Sequence, residues 1–183
     1  MGVSVSAAFA VVNRIDDFAY TPEQNIAHAM TALMAQNKGA GKIDRMKEGF
    51  RSGIILEIIY GILIFIICFV FARPLMLMFV KDEEVIGHGV TYLHLISVMY
   101  LLPALTNGIQ GFFRGIGDLK ITLISSFINM ALRVLAAAPL VLIWKMGIEA
   151  LPYSYLAGWI GMLVAETPLL LKTYKTWGKK AGQ

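Results

Sequence analysis

The sequence predicts an all-α membrane protein, a polytopic bundle of transmembrane helices formed as a single unit over residues 1–183, and three observations carry that prediction. Hydrophobic residues make up 57% of the 183 and charged residues 15%, against about 25% charged in an average soluble domain. The apolar residues gather in blocks of about 20 or more, the length a helix needs to cross the hydrocarbon core of a bilayer. Short polar connectors cut the blocks apart, and the first of them, Ala35 to Arg45, is basic and hinged on Gly39 and Gly41. Helices are therefore expected at about 5–36, 47–72, 84–113, 119–145 and 148–173.

The first segment is the least hydrophobic. At helical spacing, Asn13, Asp17, Tyr20, Gln24, His28 and Thr31 fall on one face. Polar and ionisable groups at bilayer depth are costly unless they face protein or a watery cavity, so this stripe either lines a cavity or hydrogen-bonds neighbouring helices. Pro22 removes a helical hydrogen bond within the stripe, where a kink is expected. The second segment is plain by comparison. Its lone Cys68 sits in an apolar run, which excludes a disulfide framework and a thiol metal site and leaves packing as its role. Glu57 is expected near the membrane interface.

In the third segment Tyr92, Met99, Pro103, Thr106, Asn107 and Gln110 give one side a mixed aromatic, thioether and amide surface. Such a surface suits bulky organic cations, and it also fits ordinary helix packing. His88 and His94 lie on different faces and form no metal pair. The fourth segment carries a row of Thr122, Ser126, Asn129 and Arg133. At 1.5 Å of rise per residue Arg133 lies roughly 20 Å deep, level with Glu23 and within reach of Asp17, so an ion pair with one of these carboxylates is expected, structural or gating. On the fifth segment Glu166 shares a face with Tyr155, Trp159 and Met162, and either snorkels to the nearby interface or handles protons.

Short loops rich in Lys and Arg stay cytoplasmic, and here the sides alternate. Lys38, Lys42, Arg45, Lys47 and Arg51 mark the first connector as cytoplasmic; Arg114 and Lys120 mark the third; Lys172, Lys175, Lys179 and Lys180 mark the C-terminal tail. The connectors at 73–84 and 145–149 are lean in basic residues and are expected outside. Met1-Gly2-Val3-Ser4-Val5-Ser6 has neither a basic region nor a cleavage site, so it reads as a start within a longer membrane protein rather than a signal peptide. With a modest net charge of +4 and basic residues clustered in loops between spans rather than on one amphipathic face, nucleic-acid binding is a poor explanation of the basic balance.

Gly39-Ala40-Gly41-Lys42 lacks the spacing and strand of a phosphate loop, and Gly111 to Asp118 lacks the βαβ unit of a dinucleotide fingerprint. Both are expected to be tight interhelical turns whose glycines supply left-handed dihedrals. No catalytic triad, Cys-His pair or paired-carboxylate arrangement is apparent, so an enzyme is not expected.

Taken together, several of these motifs resemble a known family. Ala7-Ala8-Phe9 through Asn13-Arg14-Ile15, Pro22, Ala35 to Lys42, Phe79 to Ile86, and Phe113 to Asp118 match, in order and spacing, the second half of a MATE (multidrug and toxic compound extrusion) transporter. The resemblance spans nearly the whole chain and places its helices as the eighth to twelfth, five of a six-helix lobe with the C-terminus inside. It implies a bacterial plasma-membrane protein exporting drugs and organic cations in exchange for sodium ions or protons. It also implies a missing partner: the N-terminal lobe, and with it the coupling-ion site. The helix matching the tenth has no acidic residue beyond its outer end, which looks closer to the DinF-like branch than to the NorM-like one. From periodicity and depth, the expected cavity residues are Asn13, Asp17, Tyr20, Gln24, His28, Tyr92, Met99, Asn107 and Arg133. No metal ligands and no organic cofactor are expected; the partners are a small organic cation, membrane lipid and the other lobe. A lipid-linked oligosaccharide flippase of the same superfamily, or a non-transporting remnant, would share the helix pattern.

Overall fold

A computed structural model describes residues 3–147 and 149–180, with side chains through 176. Ile148, the expected first residue of the fifth helix, and the side chains of Lys179 and Lys180 in the basic tail lie outside the described residues. The order is α1 (Val3–Gly39), α2 (Ile43–Val70), α3 (Ala72–Leu77), α4 (Glu83–Ser97), α5 (Leu101–Gly115), α6 (Leu119–Leu142) and α7 (Ala150–Lys180). Among the described residues, α2, α6 and most of α7 are long and apolar enough to cross a membrane, as are α4 and α5 taken as one bent span. Helix α1, with 37 residues, runs on through Pro22.

The two glycine turns form as their sequences predict, and by one mechanism. At the end of α1, Lys42 N–H donates to the Asn37 carbonyl at 2.9 Å and Gly41 N–H to Lys38 at 3.1 Å, with Gly41 at φ +67°. After α5, Asp118 N–H donates to Phe113 at 2.9 Å and Gly117 N–H to Arg114 at 3.1 Å, with Gly117 at φ +81°. Each is a Schellman ending, which satisfies the last helical carbonyls and needs a left-handed residue that only glycine supplies cheaply. The Lys38 ammonium reaches the Ile116 carbonyl, so both turns lie at the same end of the bundle. At the other end Asp82 caps α4, accepting from Glu84 N–H at 2.9 Å and Val85 N–H at 3.1 Å.

The expected single helix over 84–113 is two helices, α4 and α5, meeting at 50°. Pro103 explains the break. Lacking an N–H, it cannot donate to the Met99 carbonyl, and the chain tightens there into short bonds, Met99 N–H to Ile96 and Leu102 N–H to Met99, both 2.9 Å.

Small residues set the helix spacing. A Cβ on Gly111 would lie 2.6 Å from the Ala27 carbonyl oxygen, and one on Gly115 would lie 2.6 Å from that of Thr31, so α1 and α5 touch backbone to backbone. Two apolar cores result. One gathers Val12, Ile15, Cys68, Met76, Tyr92 and Ile96, with Cys68 buried as a packing residue; the other gathers Met34, Met46, Ile109, Phe112 and Phe113. The outer faces of α2 and α6 leave Ile59, Ile66, Leu123, Phe127 and Met130 exposed, as a lipid boundary requires.

Candidate functional site

Four helices wall a cavity of about 600 Å³. Helix α1 contributes Asn13, Asp16, Asp17, Tyr20 and Gln24; α5 contributes Pro103, Thr106, Asn107 and Gln110; α6 contributes Ser126, Asn129 and Arg133; α7 contributes Tyr155, Trp159 and Met162. The polar stripe of α1 and the polar row of α6 therefore face each other across one space.

Of the nine residues expected on a cavity, Asn13, Asp17, Tyr20, Gln24, Asn107 and Arg133 line it. His28, Tyr92 and Met99 do not. Below Gln24, α1 closes on α5 through Ala27 and Gly111, which leaves the exposed His28 outside. The bend before α5 turns α4 onto a different face. Tyr92 is accordingly packed in the core, edge-on to Phe9 at 6.0 Å, and Met99 sits buried at the bend.

Arg133 does not form the expected pair with Glu23 or Asp17. Among the described residues the ion pairs are Lys47 with Asp44 and Arg73 with Glu83. The Arg133 guanidinium instead stacks on Tyr155, its Cζ 3.7 Å from the ring centroid, while its stem packs on Gly158. Stacking leaves the edge of the guanidinium free to donate into the cavity.

Two further acidic residues depart from expectation. Glu166 does not snorkel: it is fully buried, accepting from Ser125 Oγ at 2.5 Å and from Gln110 Nε2 at 3.3 Å. Gln110 also reaches Ser126 Oγ at 3.3 Å, so Glu166 stands one hydrogen bond behind the cavity floor. Glu57 is not interfacial but fully buried midway along α2. Asp16 escaped the sequence reading altogether. It lines the cavity beside Asp17 and accepts a hydrogen bond from the buried Tyr100 hydroxyl. Its signal was present: Asn13, Asp16, Tyr20 and Glu23 are also helically spaced, a second stripe one residue round from the first. Among the described residues no three His, Cys, Asp or Glu side chains gather where they could hold a metal ion.

Apolar outer faces, buried polar inner faces and a cavity between helices mark the chain as a polytopic membrane helix bundle built around an internal polar space. A family model described as MatE matches residues 1–138, and the chain belongs to that family of multidrug and toxic compound extrusion transporters. It is 30% identical to the probable multidrug resistance protein YoeA of Bacillus subtilis, over 98% of this chain and 38% of that protein. It is 24% identical to the probable multidrug resistance protein NorM of Thermotoga maritima, over 98% of this chain and 39% of the relative. The chain thus spans about two fifths of the length of these curated relatives. Among solved structures it matches a MATE transporter in a bent conformation with a TM-score of 0.90 at 15% identity, covering 96% of this chain and 39% of that one. It also matches a multidrug resistance MATE transporter in an outward-facing conformation, with a TM-score of 0.83 at 16% identity, covering 91% and 36% respectively.

Proposed function

We propose that this chain supplies one wall of a secondary active multidrug efflux transporter, which exports organic cations and related xenobiotics by alternating access in exchange for sodium ions or protons. The observation that carries the reading is the chemistry of the cavity. The cavity holds two carboxyl groups, Asp16 and Asp17, against one guanidinium, Arg133, which rests on the Tyr155 ring, while Tyr20, Tyr155 and Trp159 supply aromatic surface. A space with the exposed Asp17 carboxylate and several π faces favours a flat or bulky organic cation over an anion. The names of the relatives, probable multidrug resistance proteins, support the substrate class. Related MATE structures described as outward-facing and inward-facing support alternating access. A second lobe, in the part of the relatives this chain does not span, would close the far side of the cavity and hold a coupling site. The basic connector 38–51 and the basic tail orient the C-terminus toward the cytoplasm of a bacterial plasma membrane, with lipid against α2 and α6.

The test is uptake of ethidium into inverted membrane vesicles carrying the full native polypeptide, with the sodium and proton gradients collapsed separately. Collapse of the coupling gradient is expected to abolish uptake. Asp17→Asn is expected to weaken ethidium affinity and Arg133→Gln to strengthen it, each by up to about tenfold, the scale of one nearby charge in a hydrated cavity. Vesicles that ignore both gradients, or that translocate a lipid-linked oligosaccharide and no cation, would overturn the reading.

A further inference from the structure

We propose that Glu23 and Glu57 form a second binding site, outside the cavity, which holds one unit of positive charge, a proton or a monovalent alkali cation, in the seam between α1, α2 and α5. Three sets of contacts bring these residues together. Between α1 and α2, the Tyr60 hydroxyl donates to the Ala19 carbonyl at 3.1 Å on one side of the two carboxylates, and Met30 packs on Gly53 on the other side. Antiparallel helices fixed at those two points set Glu23 opposite Glu57. Between α1 and α5 with the Tyr100 that precedes it, Asp16 with Tyr100, Ala27 with Gly111 and Thr31 with Gly115 are all in one register, 84 residues apart. The same register sets Glu23 beside Asn107. Between α2 and α5, a Cβ on Gly108 would lie 3.5 Å from Glu57 Cγ, so Glu57 faces that same level of α5.

Both glutamates are 0% exposed; Glu57 has no hydrogen-bond partner at either oxygen, and Glu23 has only the Asn107 amide beside it. This separates them from Glu166, which is equally buried but held by Ser125 and Gln110. Two bare carboxylates facing each other in a dry seam cannot both keep a negative charge without something between them. The neighbouring groups do not supply it. From α2, Tyr60 spends its proton on Ala19; from α1, Tyr20 lies a turn away; from α5, the only titratable side chain is Arg114, two turns off and next to Glu166. Two carboxylates with the Asn107 amide offer about five oxygens at most, fewer than the roughly six to eight a calcium ion takes, and the buried seam has no room for the waters a magnesium ion keeps, so the set suits a proton or a single alkali cation. The seam has a route to solvent, because Asn107 and Gln24, on either side of Glu23, both line the cavity.

Binding is read at equilibrium, so the site stands or falls apart from the transport reading. The experiment uses the full native polypeptide in lipid nanodiscs and compares wild type with the Glu23→Gln/Glu57→Gln double variant by infrared spectroscopy. Sodium chloride is titrated against choline chloride, and proton release is followed with a pH dye. If a proton occupies the site, wild type shows a deuterium-sensitive protonated-carboxyl band that the double variant loses and Glu84→Gln keeps, with no response to sodium. If an alkali cation occupies it, sodium diminishes that band and releases one proton per chain, and either single glutamine variant weakens the sodium response at least tenfold. Amide replacements are isosteric and relieve the buried charge, so melting temperatures are expected to be unchanged or raised. Spectra and sodium responses identical in wild type and double variant, with both proteins folded, would overturn the proposal.

Discussion

The cavity lining and the seam adjoin on α1, with Asp16 and Glu23 only about 20° apart round the helix, yet the two regions treat acidic residues in opposite ways. On the cavity face Asp17 is exposed, Asp16 accepts from Tyr100, and the nearby Arg133 rests on Tyr155. In the seam neither Glu23 nor Glu57 is exposed, Glu57 has no partner and Glu23 only the Asn107 amide, and the two form a polar layer between the two apolar cores. The difference shows what holds each set in place. Cavity groups are kept by their own polar contacts and by open space, whereas seam groups are kept by close packing of backbones around them. Folding that buries two bare carboxylates must be driven by those backbone contacts and by the apolar cores above and below.

The largest effect is therefore expected from prising the seam open. Gly111→Leu places a side chain where a Cβ alone would already meet the Ala27 carbonyl at 2.6 Å, and backbone cannot yield as a flexible side chain can. Overpacking of this kind costs about 1–3 kcal/mol and more where the contact is backbone. A thermal-unfolding measurement in detergent should show a marked loss of stability, while Gly87→Ala, in open space within α4, should leave it unchanged or slightly raised. Equal tolerance at both positions would break the view that the seam is held by backbone contact.

A paired replacement sharpens the comparison with a smaller, signed effect. Glu166→Leu strands Ser125 and Gln110, which now donate to the carboxylate, and is expected to lower stability by about 1–3 kcal/mol. Glu57→Leu strands no partner, and an apolar side chain of similar volume in place of a buried charge is expected to be neutral or stabilising. Melting temperatures that fell by the same amount in both variants would show that Glu57 has a protein partner.

How far the sequence could be read differs between these regions for physical reasons. Helix periodicity and turn chemistry are local, so the membrane bundle, both glycine turns and six of the nine expected cavity residues were accessible from spacing. Register between helices is not local. Nothing in the sequence around Glu57 says that Gly108 leaves room for it, or that Tyr60 and Met30 align it with Glu23. The bend before α5 was signalled by Pro103, yet its consequence, that Tyr92 and Asn107 face different spaces, depends on how α4 and α5 dock. At its depth Arg133 calls for a partner, and spacing pointed to a carboxylate; the partner it takes is an aromatic ring on another helix, a choice set by how α6 and α7 dock.

The smallest effect is expected where a charge is neither in the cavity nor in the seam. A single Arg73 nitrogen, Nη2, donates to both carboxylate oxygens of Glu83, at 2.9 and 3.0 Å, between α3 and the start of α4, with more than half of each side chain exposed. Water already solvates both partners there, and holding two long side chains still costs entropy, so such pairs contribute about 0–1 kcal/mol. Arg73→Ala should shift the melting temperature little, and raising the salt concentration should shrink even that difference, since exposed charges are screened. Glu166→Leu, by contrast, should keep its cost in high salt, because its hydrogen bonds lie where mobile ions do not reach. A loss at Arg73 as large and as salt-insensitive as that at Glu166 would mean that the connector pair is shielded from water, and burial would then no longer separate the charges that matter from those that do not.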